Sequence, residues 1–265
     1  MKLTLIITTY NWPESLLLVI ESIKRQTILP DEIIIADDGS SQETKKLIAT
    51  YMEESLLNII HSWQKDIGFR VARSRNKAVF KSTGDYIILI DGDVILHSNF
   101  IQDHIVVAES GYFIQGSRVL LTEQKTKKTL EKNNIHFSFF SAGIKNRKNS
   151  IHSEVLSIIF SKKKNYLKGI KSCNMAFYKK DCYDINGFNN DFEGWGREDS
   201  EFVVRLMNNG IRRKTIRFKA IQFHLWHNEN SRKSLNRNNE ILHNAINNNI
   251  KWSVNGMNSI ENHES

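Results

Sequence analysis

The amino-acid sequence predicts an α/β protein built on a mostly parallel β-sheet that is flanked by helices. In the first half of the chain, short apolar runs alternate with segments of helical periodicity, which is typical of parallel sheets. The run from Tyr86 to Ile90 is apolar throughout, as expected when both faces of a sheet are covered. The 265 residues, 40% hydrophobic and 25% charged, fit a single globular domain with a C-terminal helical extension.

The same pattern gives the elements of the first half in order. Strands are predicted at residues 3–8, 33–36, 57–61 and 86–90. Helices are predicted near residues 44–54 and 70–82, and Gly84 is expected to end the second of these. An earlier helix follows Asn11-Trp12-Pro13-Glu14, in which we expect asparagine to cap the helix and proline to occupy its first turn.

The second half of the chain is less regular. Residues 122–165 are basic and rich in asparagine, with an apolar patch at Phe137, Phe139 and Phe140, and we expect a mobile or partner-binding insertion there. Regular structure is expected to resume at 172–178, followed by a helix from Arg197 to Gly210, a strand at 216–223 and a polar helix after Ser231. This divides the chain into a nucleotide-binding half (1–120), the insertion (121–168), a catalytic half (169–230) and the extension (231–265).

The charge of the chain favours an anionic partner. The formal net charge is +8 and the isoelectric point is near 9.3. A nucleic acid, an anionic lipid surface and a phosphorylated substrate all fit this charge, although lysine runs such as Lys162–Lys164 are equally consistent with solvated surface. No zinc-finger spacing or RNA-binding aromatic motif accompanies the basic runs, so we expect no nucleic-acid partner.

Neither a membrane span nor an export signal is expected. No window approaches the roughly 20 apolar residues that a transmembrane helix requires, and the N-terminal apolar run is too short for a signal core. Cys173 and Cys182 are too few for a disulfide framework and lack metal-ligand spacing. We therefore expect a cytoplasmic protein that meets the inner face of the plasma membrane through peripheral contact with anionic lipid.

Polar clusters follow three of the predicted strands. They are Thr8-Thr9-Tyr10-Asn11, Asp37-Asp38-Gly39-Ser40 and Asp91-Gly92-Asp93. One such cluster is often only a turn, but parallel strands bring their carboxyl ends to one edge, where ligands bind. The sequence therefore predicts a ligand site at this edge.

Asp91 and Asp93 lie on a tight turn after a buried strand. Two carboxylates in this position suit a hard divalent cation that also contacts phosphate oxygens. His224 and His227 follow the last predicted strand, where lone histidines are more often ordinary core or surface residues. If imidazole joins the carboxylates, the site favours Mn²⁺ over Mg²⁺, because imidazole prefers softer metals.

A glycine-flanked tryptophan precedes two acidic residues at the start of a predicted helix. Glycines on both sides of Trp195 indicate unusual backbone dihedrals or close approach of a ligand. A surface helix could begin Arg197-Glu198-Asp199, since acids suit the helix N-terminus, but it would not need the glycines. An aromatic face beside carboxylates is a common way to bind a sugar, and we interpret the segment as a sugar site.

Together these motifs resemble the family 2 glycosyltransferases with the GT-A (Rossmann-like) fold over about residues 1–230. The segment from Asn189 to Asp199 resembles the Gly-Trp-Gly-x-Glu-Asp motif of the β-1,4-galactosyltransferases and of bacterial capsule, lipopolysaccharide and chondroitin-polymerase-like transferases. The resemblance implies a UDP-sugar as donor, a divalent metal, and a glycan or lipid-linked glycan as acceptor.

The resemblance also implies roles for individual residues. For the donor, Thr8, Tyr10 and Asp37 would line the uridine pocket, and the segment that contacts the nucleotide would include Asp66, Phe69, Arg73 and Asn76. For the metal, Asp93, His224 and His227 would be ligands, and Asp91 would touch ribose or metal. For the acceptor, Trp195 and Gly196 would form the platform, Glu198 would orient a sugar, and Asp199 would be the base. Which arginine of the 70–75 segment faces the donor stays open.

These roles imply an inverting transfer of a hexose or N-acetylhexosamine, in bacterial surface polysaccharide or lipopolysaccharide synthesis. A base on the face opposite the leaving group gives single displacement and a β-linked product from an α-linked donor. One alternative is a sugar-nucleotide nucleotidyltransferase, which would usually show a glycine-rich loop after the first strand. Another is a non-catalytic glycan-binding module, which would not need to retain all of the acidic and histidine residues.

Overall fold

The computed structural model describes residues 1–229 and 231–260. Its first half alternates strands and helices as predicted. The elements are β1 (Leu3–Thr9), α1 (Pro13–Lys24), β2 (Glu32–Asp37), α2 (Gln42–Glu54), β3 (Ile59–Trp63), α3 (Val71–Lys81) and β4 (Tyr86–Asp91). Isoleucine dominates these strands, in keeping with the preference of β-branched residues for pleated, buried positions.

The second half contains more short strands than predicted. Its elements are β5 (Val94–Leu96), α4 (Phe100–Val107), β6 (Tyr112–Gln115), β7 (Val119–Leu121), α5 (Glu123–Lys132), β8 (Ile144–Lys145), α6 (Glu154–Phe160), β9 (Lys162–Lys163), β10 (Asn174–Tyr178), α7 (Lys179–Asp184), α8 (Glu198–Asn208), β11 (Arg212–Thr215), β12 (Gln222–His224) and α9 (Leu235–Asn247). A 3₁₀ turn, Arg147–Ser150, precedes α6.

The main sheet has eight strands in the order β3-β2-β1-β4-β10-β6-β11-β9. Strands β1 to β4 are parallel, and β10 runs antiparallel to both of its neighbours. The chain leaves β1 for β2 on one side and returns to β4 on the other, which is the switch point at which α/β sheets bind ligands. The register places Thr9 beside Asp37 and Thr8 beside Asp91, so the predicted polar clusters do meet at one edge.

Both faces of the main sheet are covered. Leu5 and Ile7 pack into one apolar cluster with α1, while Ile6 packs into a second cluster with α3 and α8, and all three residues are fully buried. Alternate residues of one strand therefore feed two separate core layers. This explains the uninterrupted apolar runs and confirms the fold class predicted from them.

A second sheet, in the order β5-β12-β7-β8, was not predicted. The prediction of one strand over residues 216–223 is wrong, because β11 ends at Thr215 and β12 begins at Gln222 in the other sheet. Between them, Phe218 (φ 60°) and Ala220 (φ 47°) adopt left-handed backbone conformations, which no strand accommodates. Pairing of His224 with Val94 brings β12 beside the turn that contains Asp93.

Residues 122–165 were expected to be irregular, and this expectation is wrong for much of the segment. Thr122 caps α5 through its hydroxyl, which accepts a hydrogen bond from the Lys125 amide, and Ser153 caps α6 in the same way from Leu156. Phe137 packs against Phe223 with 4.8 Å between ring centroids. The segment thus contributes β8 to the second sheet and β9 to the edge of the main sheet.

Two local predictions about helix ends are also wrong. Asn11 does not cap α1, since Trp12 holds the cap position and the Asn11 side chain accepts from the Ser41 amide at 2.7 Å. Helix α3 ends at Lys81, before Gly84. Gly84 instead allows close approach to β1, because a Cβ atom there would collide with Thr4.

The C-terminal helix α9 was predicted and is present. Its Leu242 and Ala245 pack against Val204 of α8. Within the described parts of the chain, no helix is both long and apolar enough to cross a lipid bilayer.

Candidate active site

The carboxyl end of β2 carries a buried, strongly hydrogen-bonded carboxylate. Asp37 accepts from the Ser40 amide at 2.7 Å and from the His61 ring, whose Nε2 lies 2.8 Å away. Burial opposes ionisation, but the hydrogen bonds from His61 and Ser40 hold the pKa of Asp37 below its usual value. Asp37 is therefore a fixed anion at the edge where the resemblance places the uracil ring.

The segment after β3 closes over this edge. The Tyr10 hydroxyl donates to Asp66 at 3.0 Å, and both Tyr10 and Phe69 keep exposed ring surface. The segment passes so close to Gly39 (φ 99°) that a Cβ there would lie 2.6 Å from the Asp66 backbone. The open aromatic faces of Tyr10 and Phe69 thus border the same edge as Asp37.

Arg75, not Arg73, points into the centre of the site. Its Nη1 donates to Glu198 at 3.0 Å, and its Nη2 lies 3.4 Å from Asp91 and donates to Ser172 at 2.8 Å. Its Nε donates to the Thr8 hydroxyl at 3.3 Å. Ala72 and Val79 are buried on the same side of α3, and their spacing from Arg75 is the sequence signal that could have identified it.

The prediction that Asn76 contacts the nucleotide is wrong. Its side chain is fully buried and donates to the Phe188 carbonyl at 2.7 Å, while its own oxygen accepts from the Phe188 amide at 2.7 Å. Through these bonds the Asn76 side chain fixes the loop before α8, and it keeps no exposed surface that a nucleotide could contact. Arg73 lies partly exposed on α3 and does not join the Arg75 network.

The two predicted acids form the first turn of α8. Arg197, in a left-handed conformation (φ 79°), turns the chain sharply into this helix. Glu198 is buried against Arg75, whereas Asp199 accepts a hydrogen bond from the hydroxyl of its neighbour Ser200 at 3.1 Å. Burial and the adjacent charge of Glu198 raise the pKa of Asp199 to about 7, although Arg75 opposes the shift. Such a carboxyl can exchange a proton near neutral pH.

The Asp-Gly-Asp turn and the two histidines meet as predicted. The Asp93 Oδ2 lies 3.5 Å from His224 Nε2 and 3.2 Å from His227 Nε2. One donor atom from each of these residues falls within 4.8 Å of the others. The hydrogen bond to Asp93 raises the pKa of His227 to about 9, while burial lowers that of His224.

This cluster fits a divalent cation. The other oxygen of Asp93, Oδ1, is buried without a hydrogen-bond partner among the described residues, as expected of a carboxylate that a cation would complete. One carboxylate with two imidazoles suits Mn²⁺ better than Mg²⁺. Asp91 lies outside this group and faces Arg75, and burial raises its pKa to about 6.

Trp195 stands between two glycines in left-handed conformations, Gly194 (φ 72°) and Gly196 (φ 105°). The residue is 39% exposed. The Asn238 side chain of α9 donates to the Gly196 carbonyl at 2.9 Å, and a Cβ at Gly194 would collide with Ser234. The C-terminal extension therefore holds the tryptophan loop.

Sequence reasoning missed a second arginine beside the site. The positive charge of Arg118, just before β7, opposes the rise in the pKa of Asp91 and helps to lower the pKa of Asp93. Its Nη1 lies 4.0 Å from the buried Cys173 thiol. Nothing in the local pattern marks it, because the second sheet that positions it was not predicted.

The chain matches the family description "Glycosyl transferase family 2" over residues 4–184, more than half of its length. Residues 155–228, which include the tryptophan loop and α8, match "N-terminal domain of galactosyltransferase". The two matches together cover all the motifs on which the resemblance was based.

Curated relatives cover most of the chain at low identity. The chain is 28% identical to the hyaluronan synthase of Pasteurella multocida, with 81% of this chain and 24% of that protein aligned. It is 26% identical to the chondroitin synthase of Escherichia coli, with 78% and 32% aligned. An O-antigen chain rhamnosyltransferase of Salmonella typhimurium is 43% identical over 101 residues, 36% of this chain. The chain thus spans about a quarter to a third of the length of the two synthases.

Solved structures confirm the fold. The crystal structure of S. aureus TarS 1–349 in complex with UDP superposes with a TM-score of 0.61 at 16% identity, covering 91% of this chain and 64% of that one. Its complex with UDP-GlcNAc gives a TM-score of 0.56, also at 16% identity, covering 86% and 60%. Together with the match over residues 4–184, these findings confirm the resemblance drawn from the motifs, and the chain belongs to glycosyltransferase family 2.

Proposed function

We propose that this protein is an inverting, metal-dependent glycosyltransferase that moves a hexose or N-acetylhexosamine from a UDP-sugar to a glycan acceptor. The observation that carries the proposal is the position of Asp199, a carboxyl with a pKa near 7 beside the buried Arg75–Glu198 pair. The similar TarS structures hold UDP and UDP-GlcNAc, which supports a nucleoside diphosphate sugar as donor. The hyaluronan and chondroitin synthases support a glycan acceptor.

The proposed reaction is a single displacement. An acceptor hydroxyl loses its proton to Asp199 as its oxygen forms a bond to the anomeric carbon of the donor. The bond from that carbon to the diphosphate oxygen breaks, and its electron pair leaves with the nucleoside diphosphate. Attack opposite the leaving group inverts the anomeric centre, so an α-linked donor gives a β-linked product.

The remaining residues position the reactants. Trp195 would offer an apolar face to the acceptor sugar, and Glu198, which is paired with Arg75, would orient a sugar hydroxyl. Asp37, Tyr10 and Phe69 border the proposed uridine pocket. Asp93, His224 and His227 would hold the divalent cation, which supplies Lewis-acid stabilisation of the leaving diphosphate when bound.

We further propose a role in bacterial surface polysaccharide or lipopolysaccharide synthesis. The names of the synthases and of the O-antigen rhamnosyltransferase support this setting. An acceptor in such a pathway can be lipid-linked, and the enzyme would then work at the cytoplasmic face of the membrane.

A donor panel tests the proposal. UDP-glucose, UDP-galactose and their N-acetyl forms are each incubated with Mn²⁺, with and without glycan acceptors, and UDP release is measured, with GDP-mannose as the nucleotide control. We expect one UDP-sugar to be used best and its product to show the proton coupling of a β-anomer by NMR. No release of UDP from any of these sugars, or an α-linked product, would overturn the proposal.

A further inference from the structure

Helix α6 turns an apolar face to solvent. Val155, Ile158 and Ile159 follow the i, i+3, i+4 spacing of one helix face and are 67%, 82% and 63% exposed. Phe160, at the end of the helix, is 48% exposed. Single exposed apolar residues are normal in proteins, but a cluster of large aliphatic side chains on one face indicates an interaction site.

The opposite side of α6 is fixed to the domain. Ser157 is buried, the Ser153 amide donates to the Phe218 carbonyl at 2.9 Å, and the Glu154 carboxylate pairs with Lys219 at 2.8 Å. The Phe160 ring packs on Phe218 with 5.6 Å between centroids. The fold therefore holds this helix with its aliphatic face outward.

Positive charge surrounds the same face. Lys162, Lys163 and Lys164 follow the helix directly and are exposed. The two nearby acids are already paired, Glu154 with Lys219 and Glu109 with both Lys163 and Lys214. Within residues 1–229 and 231–260, no carboxylate pairs with Lys162 or Lys164, so the rim of the patch keeps a net positive charge.

A groove runs between α6 and the end of α4. Its volume is about 470 Å³. Val106, Val107, Ile158 and Ile216 contribute apolar walls, and Lys162 and Lys214 lie among the lining residues. The apolar surface of the patch thus continues into a cleft that is bordered by ammonium groups.

We propose that the face of α6, with Lys162 and Lys164, binds an anionic lipid membrane. Aliphatic side chains on a short helix can enter the boundary between headgroups and acyl chains, while lysines beside them attract anionic headgroups. A second copy of the chain fits less well, because a two-fold interface would bring the same positive rims together. This inference goes beyond the proposed catalytic function and does not depend on it.

Vesicle sedimentation without donor or acceptor tests the proposal. Vesicles of phosphatidylcholine alone are compared with vesicles that also contain phosphatidylglycerol, at low and high salt. We expect the parent protein to bind only the anionic vesicles and to be released by salt, because lysine contacts are screened. Ile158→Asp/Ile159→Asp should weaken binding at least tenfold, and Lys162→Gln/Lys164→Gln should weaken it by roughly tenfold or more.

Matched control variants test whether a loss of binding is specific to this surface or follows from any loss of positive charge or apolar surface. Lys128→Gln/Lys132→Gln removes the same charge from exposed positions on α5, and Met52→Asp/Leu56→Asp changes exposed apolar residues elsewhere. Both controls should bind like the parent. The proposal is overturned if the parent ignores anionic vesicles at low salt, or if the α5 control loses as much binding as the α6 variants. The proposal would also be overturned if the parent protein forms a dimer, does not bind vesicles, and becomes monomeric in Ile158→Asp/Ile159→Asp. That result would assign the face to self-association.

Failure of the proposed catalytic function would look different. UDP release would then be absent from the parent while vesicle binding stayed intact. Loss of vesicle binding in the α6 variants, with unchanged UDP release on a soluble acceptor, would support both proposals separately.

Discussion

Arg75 and Glu198 form a buried hydrogen bond of 3.0 Å across 123 positions of the chain. Arg75 lies on α3, beside the edge where the donor is expected, and Glu198 opens α8, beside the expected acceptor. Because the same guanidinium lies 3.4 Å from Asp91, one side chain of α3 links two carboxylate-bearing segments, β4 and α8. The two halves of the proposed site are therefore held in a fixed relation.

The first prediction concerns the proposed base. Asp199→Asn keeps the size of the side chain but removes its capacity to accept a proton, so we expect transfer to fall by roughly 10²–10⁴-fold. The Kd of UDP should change little, because the proposal gives Asp199 no contact with the nucleotide. Steady-state transfer and UDP titration measure both quantities, and Ser200→Ala, which removes only the hydroxyl bonded to Asp199, serves as control. Near-parental transfer by Asp199→Asn would exclude Asp199 as the base.

The second prediction concerns pH. The pKa of Asp199 is raised to about 7 by burial and by Glu198, so the carboxyl is protonated, and unable to act as a base, below that pH. We expect kcat/KM to fall about tenfold for each pH unit below 7 and to level off above it, since kcat/KM reports the free enzyme. A pH profile of transfer measures this. A flat profile from pH 5 to 8 would contradict the assignment.

The third prediction uses Arg75 to test the same carboxyl. Arg75→Met removes a positive charge that holds the pKa of Asp199 down, so the acid limb of the profile should move to higher pH. It also leaves Glu198 without its buried partner, and we expect a loss of about 3 kcal/mol or more in stability, measured by chemical denaturation.

Arg75→Lys is the matched control for that change. It keeps the charge but not the forked geometry, so its acid limb should stay close to that of the parent even if its stability falls. If the limb does not move in Arg75→Met, the electrostatic link between Arg75 and Asp199 is wrong, whatever happens to stability.

The fourth prediction concerns the metal. A chelator should abolish transfer, and Mn²⁺ should restore it better than Mg²⁺, because Asp93 is grouped with two imidazoles. His224→Ala and His227→Ala should each weaken Mn²⁺ binding, measured by calorimetry on the protein alone. His243→Ala, on the exposed side of α9, is the control. Unchanged Mn²⁺ affinity in both site variants would remove the histidines from the metal site.

The parallel half of the fold could be predicted because its signals are local. Each strand is a run of apolar residues, and each run ends in polar residues that the parallel register then collects at one edge. The second sheet could not be predicted in this way, since its strands have only two or three residues and gain stability from pairing across long stretches of chain. The break at Phe218 and Ala220 likewise leaves no mark in the sequence, where apolar and polar residues alternate as they do in a strand.

The residues of the candidate site could likewise be predicted only in part. The resemblance grouped Asp93, His224 and His227 as metal ligands, and the structure brings the three side chains together. The choice between Arg73, Arg75 and Asn76 depends on which face of α3 is buried and on α8, which approaches from far away in sequence. A resemblance names the segment, but the helix phase decides which side chain enters the site.

The fifth prediction concerns the tryptophan loop. Asn238 on α9 donates to the carbonyls of Gly196 at 2.9 Å and Glu193 at 3.3 Å, on either side of Trp195. Asn238→Ala removes both bonds, and the loop loses the contacts that fix the angle of the exposed ring. We expect the KM for a glycan acceptor to rise by roughly tenfold, a loss that matches one or two net hydrogen bonds. Metal-dependent hydrolysis of the UDP-sugar without acceptor should stay near the parental rate, because the residues that border the donor site are unchanged.

Asn247→Ala, at an exposed position on the same helix, is the control and should leave both activities unchanged. If Asn238→Ala lowers hydrolysis and transfer equally with no change in the acceptor KM, α9 stabilises the whole site and has no separate role in holding the acceptor platform.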